Sequence, residues 1–419
     1  MKNFGLNKFN NSQKNLIKIS FLIFLLILVN SCKTNNEEEQ LSYKVSEHKI
    51  FGHLGSNHIA NMVARKGTEG YRFTAWGRIP ITEWPVESSN KNQVVQSTSE
   101  LRYSNGGCAM DIDGDGIDEI IVARGDIRNL SNAKMYWFDE VEGQEYWEEY
   151  MIDDIWEGGY VAPHDIKPYV QEDNGFKGIL ANKGRDELYL YPVPNDPKGN
   201  WERIHIASFS NQSGMEVIDI NGDGYEDIVT GMYWIEGPEN PRQQASWEMH
   251  RFGEWDKNDW SWGGMIQHGI ADFDGDGKLE LVTSEAEIPH ARLAMFDRND
   301  NNPTDLWEET LLDSTLYAPH SVVVADLNND QQPDFIVGEM TAGGWDFPMI
   351  AHLKVYTYVN QGDMEFKRTI LCEGSGVHEK RVFPDPYEGK LMIYAADKIQ
   401  PQKFTNMNTH CSYWLIEPR

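Results

Sequence analysis

Asp272-Phe-Asp-Gly-Asp-Gly277 is the stretch that decides the fold, because related stretches occur three more times in this chain of 419 residues. They are Asp111-Ile-Asp-Gly-Asp-Gly116, Asp219-Ile-Asn-Gly-Asp-Gly224 and Asp326-Leu-Asn-Asn-Asp330, at spacings of 108, 53 and 54 residues. A fixed spacing of this length is typical of repeat architectures, and the first gap contains two periods. We therefore expect one further unit between the first two acidic stretches.

This missing unit appears when Tyr160-Val-Ala-Pro-His164 is aligned with Leu316-Tyr-Ala-Pro-His320. It has kept its strand pattern and lost its acidic stretch. Two further units, beginning near His58 and Val377, bring the number to seven. Segments such as Trp147-Glu-Glu-Tyr-Met-Ile152 alternate after an aromatic residue, as half-buried strands do. The sequence therefore predicts an all-β fold, a seven-bladed β-propeller of four-stranded antiparallel blades.

A segment with the same alternation, Tyr43-Lys-Val-Ser-Glu-His-Lys-Ile50, precedes the first complete unit. We expect this N-terminal strand to supply the outer strand of the last blade, because a ring closed in this way leaves no open sheet edge. Residues 42–419 then form a single propeller with calcium loops.

Residues 1–31 are predicted to be a lipoprotein signal peptide. Lysines precede an apolar run at 19–29, which is too short to span a bilayer and ends at Val29-Asn30-Ser31-Cys32, a sequence similar to a lipobox. Cleavage before Cys32 would leave a lipid anchor, followed by a flexible acidic tether at 32–41. We expect attachment to the outer membrane through this lipid only, on the cell surface or the periplasmic side.

The formal net charge of the chain is −29. A balance this acidic argues against nucleic acid or anionic lipid as a partner. The sequence has no Gly-x-Ser-x-Gly motif, Walker loop, dinucleotide fingerprint or His-Glu-x-x-His motif, so serine hydrolases, nucleotide-binding enzymes and zincins are unsupported. We expect a monomer.

Positions 1, 3, 5 and 9 of every acidic stretch carry side-chain oxygen donors. Short side chains on alternate residues of a tight, glycine-assisted turn converge on one point, and hard cations prefer such ligands. The sequence therefore predicts up to four structural Ca²⁺ sites. The predicted ligands are Asp111, Asp113, Asp115 and Glu119; Asp219, Asn221, Asp223 and Asp227; Asp272, Asp274, Asp276 and Glu280; and Asp326, Asn328, Asp330 and Asp334.

Histidines recur at the starts of the predicted first strands in five of the seven units: His58, His164, His268, His320 and His378. The acidic stretches join first strands to second strands, so antiparallel geometry places these histidines at the opposite face. First strands line the channel of a propeller. We expect the imidazoles to converge there, as ligands of a divalent transition metal such as Zn²⁺ or as catalytic acids and bases.

The ends of the predicted second strands lie at the same face as the histidines. Cations there are expected to bind an anionic substrate, and carboxylates to bind metal or act as bases. A tyrosine beside a Pro-His pair is an alternative base, and tryptophans nearby are candidates for stacking on sugars. The cations are Arg65, Arg124, Lys183 and Lys398, and the carboxylates are Glu285 and Glu339. The tyrosines are Tyr160 and Tyr317, and the tryptophans are Trp234, Trp262 and Trp345.

The acidic stretches and their period resemble the FG-GAP/VCBS repeats of integrin-type propellers, in which calcium is structural. Ala162-Pro-His164, Gln267-His268 and Ala318-Pro-His320 also resemble the propeller of aldos-2-ulose dehydratases. Those enzymes eliminate water from sugars and carry a metal at such histidines, which implies a similar role for His164, His268 and His320. The lipid-anchored architecture is similar to that of the oligosaccharide dehydratases among the ulvan-degrading proteins of marine Bacteroidetes.

Together these patterns predict an extracytoplasmic carbohydrate dehydratase, a carbon–oxygen lyase. It would eliminate water from uronic-acid-containing oligosaccharides such as ulvan fragments and leave unsaturated uronyl ends. One alternative is a polysaccharide lyase that cleaves uronate glycosidic bonds by the same elimination. An alternative of another class is a non-catalytic propeller that binds carbohydrate or protein.

Overall fold

The computed structural model describes residues 43–51, 59–77, 79–86, 92–96, 101–126, 133–154, 163–210, 212–243, 247–255, 266–286, 288–298, 305–340, 353–373, 377–399 and 408–419. The secondary-structure elements within these ranges are β-strands, β1 to β28 in chain order. They form seven four-stranded antiparallel sheets, which confirms the predicted all-β propeller of seven blades. No helix in these ranges is long and apolar enough to cross a membrane.

Blades one to six each consist of four consecutive strands that pair in chain order. Blade one contains β2 (Ile59–Gly67), β3 (Gly70–Gly77), β4 (Thr82–Pro85) and β5 (Asn92–Gln93), and blade two contains β6 (Leu101–Met110), β7 (Glu119–Asp126), β8 (Lys134–Asp139) and β9 (Glu148–Asp153). Blade three contains β10 (Ile166–Gln171), β11 (Phe176–Lys183), β12 (Glu187–Pro192) and β13 (Ile204–Ser208). Blade four contains β14 (Met215–Ile218), β15 (Asp227–Thr230), β16 (Tyr233–Glu236) and β17 (Glu248–Arg251). Blade five contains β18 (Ile266–Ala271), β19 (Glu280–Glu285), β20 (Pro289–Asp297) and β21 (Glu308–Tyr317), and blade six contains β22 (Pro319–Ala325), β23 (Asp334–Glu339), β24 (Lys354–Asn360) and β25 (Phe366–Glu373).

Blade seven combines strands from distant parts of the sequence. β26 (Val377–Val382), β27 (Leu391–Ile399) and β28 (Asn408–Pro418) are joined by β1 (Tyr43–Phe51), which pairs with β28. The N-terminal strand thus takes the outer position predicted from its alternation. The Tyr43 hydroxyl also donates to Thr357 Oγ1 of blade six at 2.6 Å, and burial raises the pKa of this tyrosine to about 12. The closing strand is therefore attached to the neighbouring blade as well.

The hydrophobic core lies between the blades. Among the described residues, seven large clusters of buried side chains occur, one at each boundary, including the boundary between blades seven and one. In β7, Ile120 and Val122 pack toward blade one, whereas Ile121 and Ala123 pack toward blade three. Side chains alternate between the two faces of a strand, so a continuous apolar run buries both. The ring is therefore closed by packing as well as by strand pairing.

Candidate functional site

A polar cavity lies on the propeller axis, near the starts of most of the first strands. Its volume is about 50 Å³. Ligand pockets for drug-sized molecules begin at roughly 300 Å³, so the described cavity suits a charged end group better than a whole sugar ring. Every blade contributes to the lining, whose polar side chains are Asn61, His164, Asp165, Lys167, Glu216, Gln267, Ser321, Lys380 and Arg381.

The three histidines of the predicted ring whose side chains the structure describes, His164, His268 and His320, do not converge on this cavity. Side chains alternate along a strand, so the neighbour of an axial residue points between the blades. In β18, Gln267 lines the cavity, whereas His268 is buried and its Nδ1 lies 3.0 Å from Thr283 Oγ1. In β22, Ser321 lines the cavity, whereas His320 is only 1% exposed. Among the described histidine side chains of this series, only His164 reaches the lining.

Burial also changes the protonation of His268. Desolvation lowers its pKa to about 4, so its imidazole is neutral near pH 7. His58 lies outside the described residues, as does the side chain of His378. The clusters of potential metal ligands in the described part of the chain include neither His164, His268 nor His320. A metal at these histidines therefore gains no geometric support.

His164 stands just before β10 and pairs with the residue that follows it. Its Nδ1 lies 3.5 Å from Asp165 Oδ2. Asn182 of β11 holds both residues, because its Oδ1 accepts their backbone N–H groups and its Nδ2 donates to Asp165 Oδ2, at 2.8 Å in each case. Burial alone would raise the pKa of Asp165, but His164, Lys167 and Asn182 lower it below its usual range. Asp165 is thus an anion that orients the imidazole.

Three cations also line the cavity. Lys167 Nζ lies 3.0 Å from both carboxylate oxygens of Glu216 in blade four. Arg381 donates from Nη2 to Asn61 Oδ1 at 3.1 Å, which links blade seven to blade one. Lys380 is buried beside it in β26. Sequence reasoning missed all three, because it followed the histidines and not the residues near them in the first strands.

The predicted position of Arg65 is wrong. Arg65 is 0% exposed and lies within β2, a first strand, instead of ending a second strand. It forms ion pairs with Glu83 and Glu140 and donates to the Asp118 carbonyl at 2.8 Å, beside the acidic loop of blade two. Because β2 continues to Gly67, Arg65 lies near the opposite end of its blade from the predicted one. Its charge is already neutralised inside the fold.

Arg124 and Lys183 do lie near the ends of second strands. Arg124 contacts both carboxylate oxygens of Glu149 on β9, at 2.6 and 2.9 Å, and packs over the ring of Tyr136. Lys183 ends β11 and is partly exposed. Lys398 lies in β27, but its side chain is outside the described part of the structure. Neither Arg124 nor Lys183 lines the axial cavity.

Glu285 and Glu339 end β19 and β23, and both are buried. Glu285 accepts from Arg292 Nη2 at 2.6 Å. Glu339 accepts the backbone N–H groups of Tyr317 and Lys354 at 2.9 Å each, and burial raises its pKa. Tyr317 is itself buried, and desolvation raises the pKa of its phenol. These groups hold strands and loops together and do not line the cavity.

The tryptophans give no described sugar platform. Trp234 is 1% exposed and belongs to the core between blades four and five, so burial contradicts a stacking role for it. Trp262, Trp345 and Tyr160 lie outside the described residues.

The acidic loops form tight turns around their carboxylates. In blade five, Gly275 and Gly277 adopt φ values of 80° and 91°, a region that favours glycine. Their N–H groups donate to Asp272 at 2.7 and 3.0 Å. Donor oxygens of one loop lie within 4.8 Å of one another in two sets, Asp272, Asp274, Asp276 and Glu280, and Asp111, Asp113 and Asp115.

Position 9 of each loop is a buried carboxylate that binds the loop's own backbone. Glu119, Asp227, Glu280 and Asp334 accept the N–H group of the residue at position 2, at 2.6 to 3.0 Å. Burial raises the pKa of Glu119 to about 8, and the nearby aspartates add to the shift. Sets composed of carboxylate and amide oxygens fit Ca²⁺, which prefers oxygen ligands.

Comparison with known proteins supports the repeat. The family model of an FG-GAP-like repeat matches residues 272–337, from the acidic loop of blade five into β23. A solved structure described as recognising non-reducing terminal N-acetylglucosamine, a lectin of Agrocybe aegerita, is 14% identical with a TM-score of 0.46, over 81% of this chain and 83% of the lectin chain. No curated protein sequence matches. The chain thus contains an FG-GAP-like repeat within a seven-bladed propeller.

Proposed function

We propose that the axial cavity binds the carboxylate of a uronic-acid-containing oligosaccharide, such as an ulvan fragment, and that the protein eliminates water from it. The observation that carries the proposal is the His164–Asp165 pair beside Lys167, Lys380 and Arg381. These three cations outnumber the two carboxylates in the lining, in a chain of net charge −29. Such a contrast favours an anionic group as the ligand.

In the proposed reaction a cation neutralises the substrate carboxylate and makes the adjacent C–H bond more acidic. His164 takes this proton as a general base, while Asp165 stabilises the imidazolium that forms. The electrons of the C–H bond form a carbon–carbon double bond, and the bond to the neighbouring hydroxyl breaks. The imidazolium then returns its proton to the departing oxygen. The products are water and an unsaturated uronyl group.

The acidic loops are proposed to bind Ca²⁺ as a structural ion. They join first strands to second strands, away from the starts of the first strands where most of the cavity lies. Calcium is therefore assigned to stability and not to the elimination. The lipid anchor at Cys32 and the outer-membrane location remain proposals that rest on the sequence. A metal at the histidine series has no part in this mechanism.

The two alternative functions, polysaccharide lyase and binding propeller, would use the same axial cavity. A polysaccharide lyase would use the same base, but the departing oxygen would belong to a glycosidic bond. A binding propeller would use the cations without proton transfer. The small volume favours an end group, and His164 oriented by Asp165 favours chemistry over binding alone.

The test compares the wild type with His164→Gln on uronic-acid oligosaccharides, by ultraviolet absorbance of the unsaturated product and by mass spectrometry. His205→Gln is a matched control, because His205 lies on β13 of the same blade with its Nε2 3.0 Å from Ser208 Oγ. We expect His164→Gln to lose about 10² to 10⁴ in turnover, the usual contribution of a general base, and the control to lose nothing. Loss of water alone indicates a dehydratase, and chain cleavage indicates a lyase. Binding by the wild type without turnover would leave only the binding propeller.

A further inference from the structure

We propose a transition-metal site on blade four, formed by Glu236, Glu248 and His250. Glu236 ends β16, and the other two residues lie on β17. Antiparallel pairing places Glu236 opposite Glu248 and Trp234 opposite His250. Opposite residues, and residues two apart on one strand, share a face of the sheet. The two carboxylates and the imidazole therefore project on the same side of the blade.

The donor atoms of these three side chains are close enough to share one ion. One donor atom of each lies within 4.8 Å of the other two, and His250 Nε2 lies 3.5 Å from Glu236 Oε2. Two ligands that each lie about 2.1 Å from Zn²⁺ in a tetrahedral site are about 3.4 Å apart. A contraction of at most about 1.4 Å, within reach of side-chain rotation, would complete the set.

The imidazole is already aimed at the carboxylates. Its ring packs on Trp234, with the centroids 4.5 Å apart at 31°. The side chain is 12% exposed, and Nε2 is buried and makes no hydrogen bond within the described structure. A buried ring nitrogen that faces two carboxylates is arranged as a metal ligand.

The donor set selects the class of metal. One imidazole nitrogen with two carboxylate oxygens suits divalent first-row ions such as Zn²⁺, with a further position open to water at the exposed Glu248. Ca²⁺ prefers six to eight oxygen ligands and is disfavoured here. Asn221 of the nearby acidic loop lies 3.5 Å from Glu236 through its Nδ2, so the bound ion would fix the outermost strand of the blade beside that loop.

The experiment uses the full chain saturated with Ca²⁺, titrated with Zn²⁺ by calorimetry and with Co²⁺ by visible spectroscopy. We expect one Zn²⁺ site in the wild type, lost in His250→Gln and in Glu248→Gln, and kept in His205→Gln and His164→Gln. Glu248 is exposed, so its replacement leaves the core intact if the His250 variant fails to fold. Absence of binding by the wild type, or binding unchanged in both site variants, would overturn the proposal. Loss of the site in His164→Gln alone would place the ion at the axis instead and would also overturn it.

Discussion

Blade five turns from β18 to β19 through an acidic loop, whereas blade three makes the same turn, from β10 to β11, without one. In blade three, amide side chains reach the next blade: Gln171 Nε2 donates to the Pro238 carbonyl at 2.9 Å, and Asn174 Nδ2 donates to the Glu239 carbonyl at 3.1 Å. Hydrogen bonds between neutral groups thus join blade three to blade four at this turn. The corresponding turn of blade five instead contains a cluster of carboxylates. The same turn of the repeat can be stabilised with or without a proposed ion.

The two blades also place their histidines in different surroundings. His164 stands before its strand, at the cavity and beside Asp165. His268 lies within its strand and is buried. The position of a residue within the repeat therefore predicts where it lies along the blade. It does not predict whether its side chain lines the axial cavity or packs against a neighbouring blade.

The largest effect, on turnover, is expected from replacing His164 and His268 separately. His164→Gln should lower turnover by about 10²-fold or more, because it removes the proposed base, whereas His268→Gln should leave turnover near the wild-type value. Initial rates on uronic-acid oligosaccharides, with folding checked by circular dichroism, measure the difference. Equal losses in both variants would restore the predicted ring of catalytic histidines.

Calcium removal should affect blade five and spare the turn of blade three. An ion at about 100 times its dissociation constant stabilises the folded state by about 2.7 kcal/mol per site, so chelation of several sites should lower the melting temperature markedly. When Ca²⁺ is removed, amide hydrogen exchange should become faster in the loop between β18 and β19 and should change little between β10 and β11. Mg²⁺ serves as the control ion. A uniform change in both turns would argue against a local ion site.

The buried His268 should make stability depend on pH. Its pKa is about 4 in the folded protein, against an ordinary value of 6.5, so the unfolded chain binds the proton more tightly. Stability is therefore kept above about pH 6.5 and falls as the pH drops toward 4, by up to about 3 kcal/mol. His268→Gln should flatten this part of the curve in urea unfolding, while His205→Gln should not. Parallel curves for the wild type and His268→Gln would refute this assignment.

The smallest effect is expected at the turn of blade three. Asn174→Ala removes the hydrogen bonds donated to the Glu239 carbonyl and to Gln171 Oε1, and the one accepted from Phe176 N. We expect a loss of about 1 kcal/mol, equal with and without Ca²⁺. Asp274→Asn in blade five should instead cost stability mainly when Ca²⁺ is present. Urea unfolding of both variants in calcium and in chelator gives the comparison, and a calcium-dependent loss in Asn174→Ala would remove the contrast.

The fold could be predicted because its signals are local and repeated. The acidic turns and the alternating strands are visible within one unit, and the outer position of β1 follows from its alternation and from closure of the ring. The cations Lys167, Lys380 and Arg381 could not be recognised, since each looks like an ordinary surface charge until the register is known. Alternation does indicate two other residues of the lining, because Gln267 and Ser321 are immediate neighbours of His268 and His320.

The misplacement of Arg65 has a similar cause. Blade one turns from β2 to β3 through Gly67-Thr68-Glu69-Gly70, which lacks the acidic marker that fixed strand boundaries elsewhere. Without that marker, the sequence pattern does not distinguish the first strand from the second.

The pairing of β1 with β28 makes completion of the ring a late event in the life of the chain. The contact between Tyr43 and Thr357 spans 314 residues, so it cannot form until the strands of blade six have left the ribosome. Until blade seven is complete, the apolar faces of blades one and six that pack on it are uncovered, and exposed apolar surface invites association with other chains. A nascent chain that stalls before β28 should therefore depend on chaperones, whereas a completed chain seals itself.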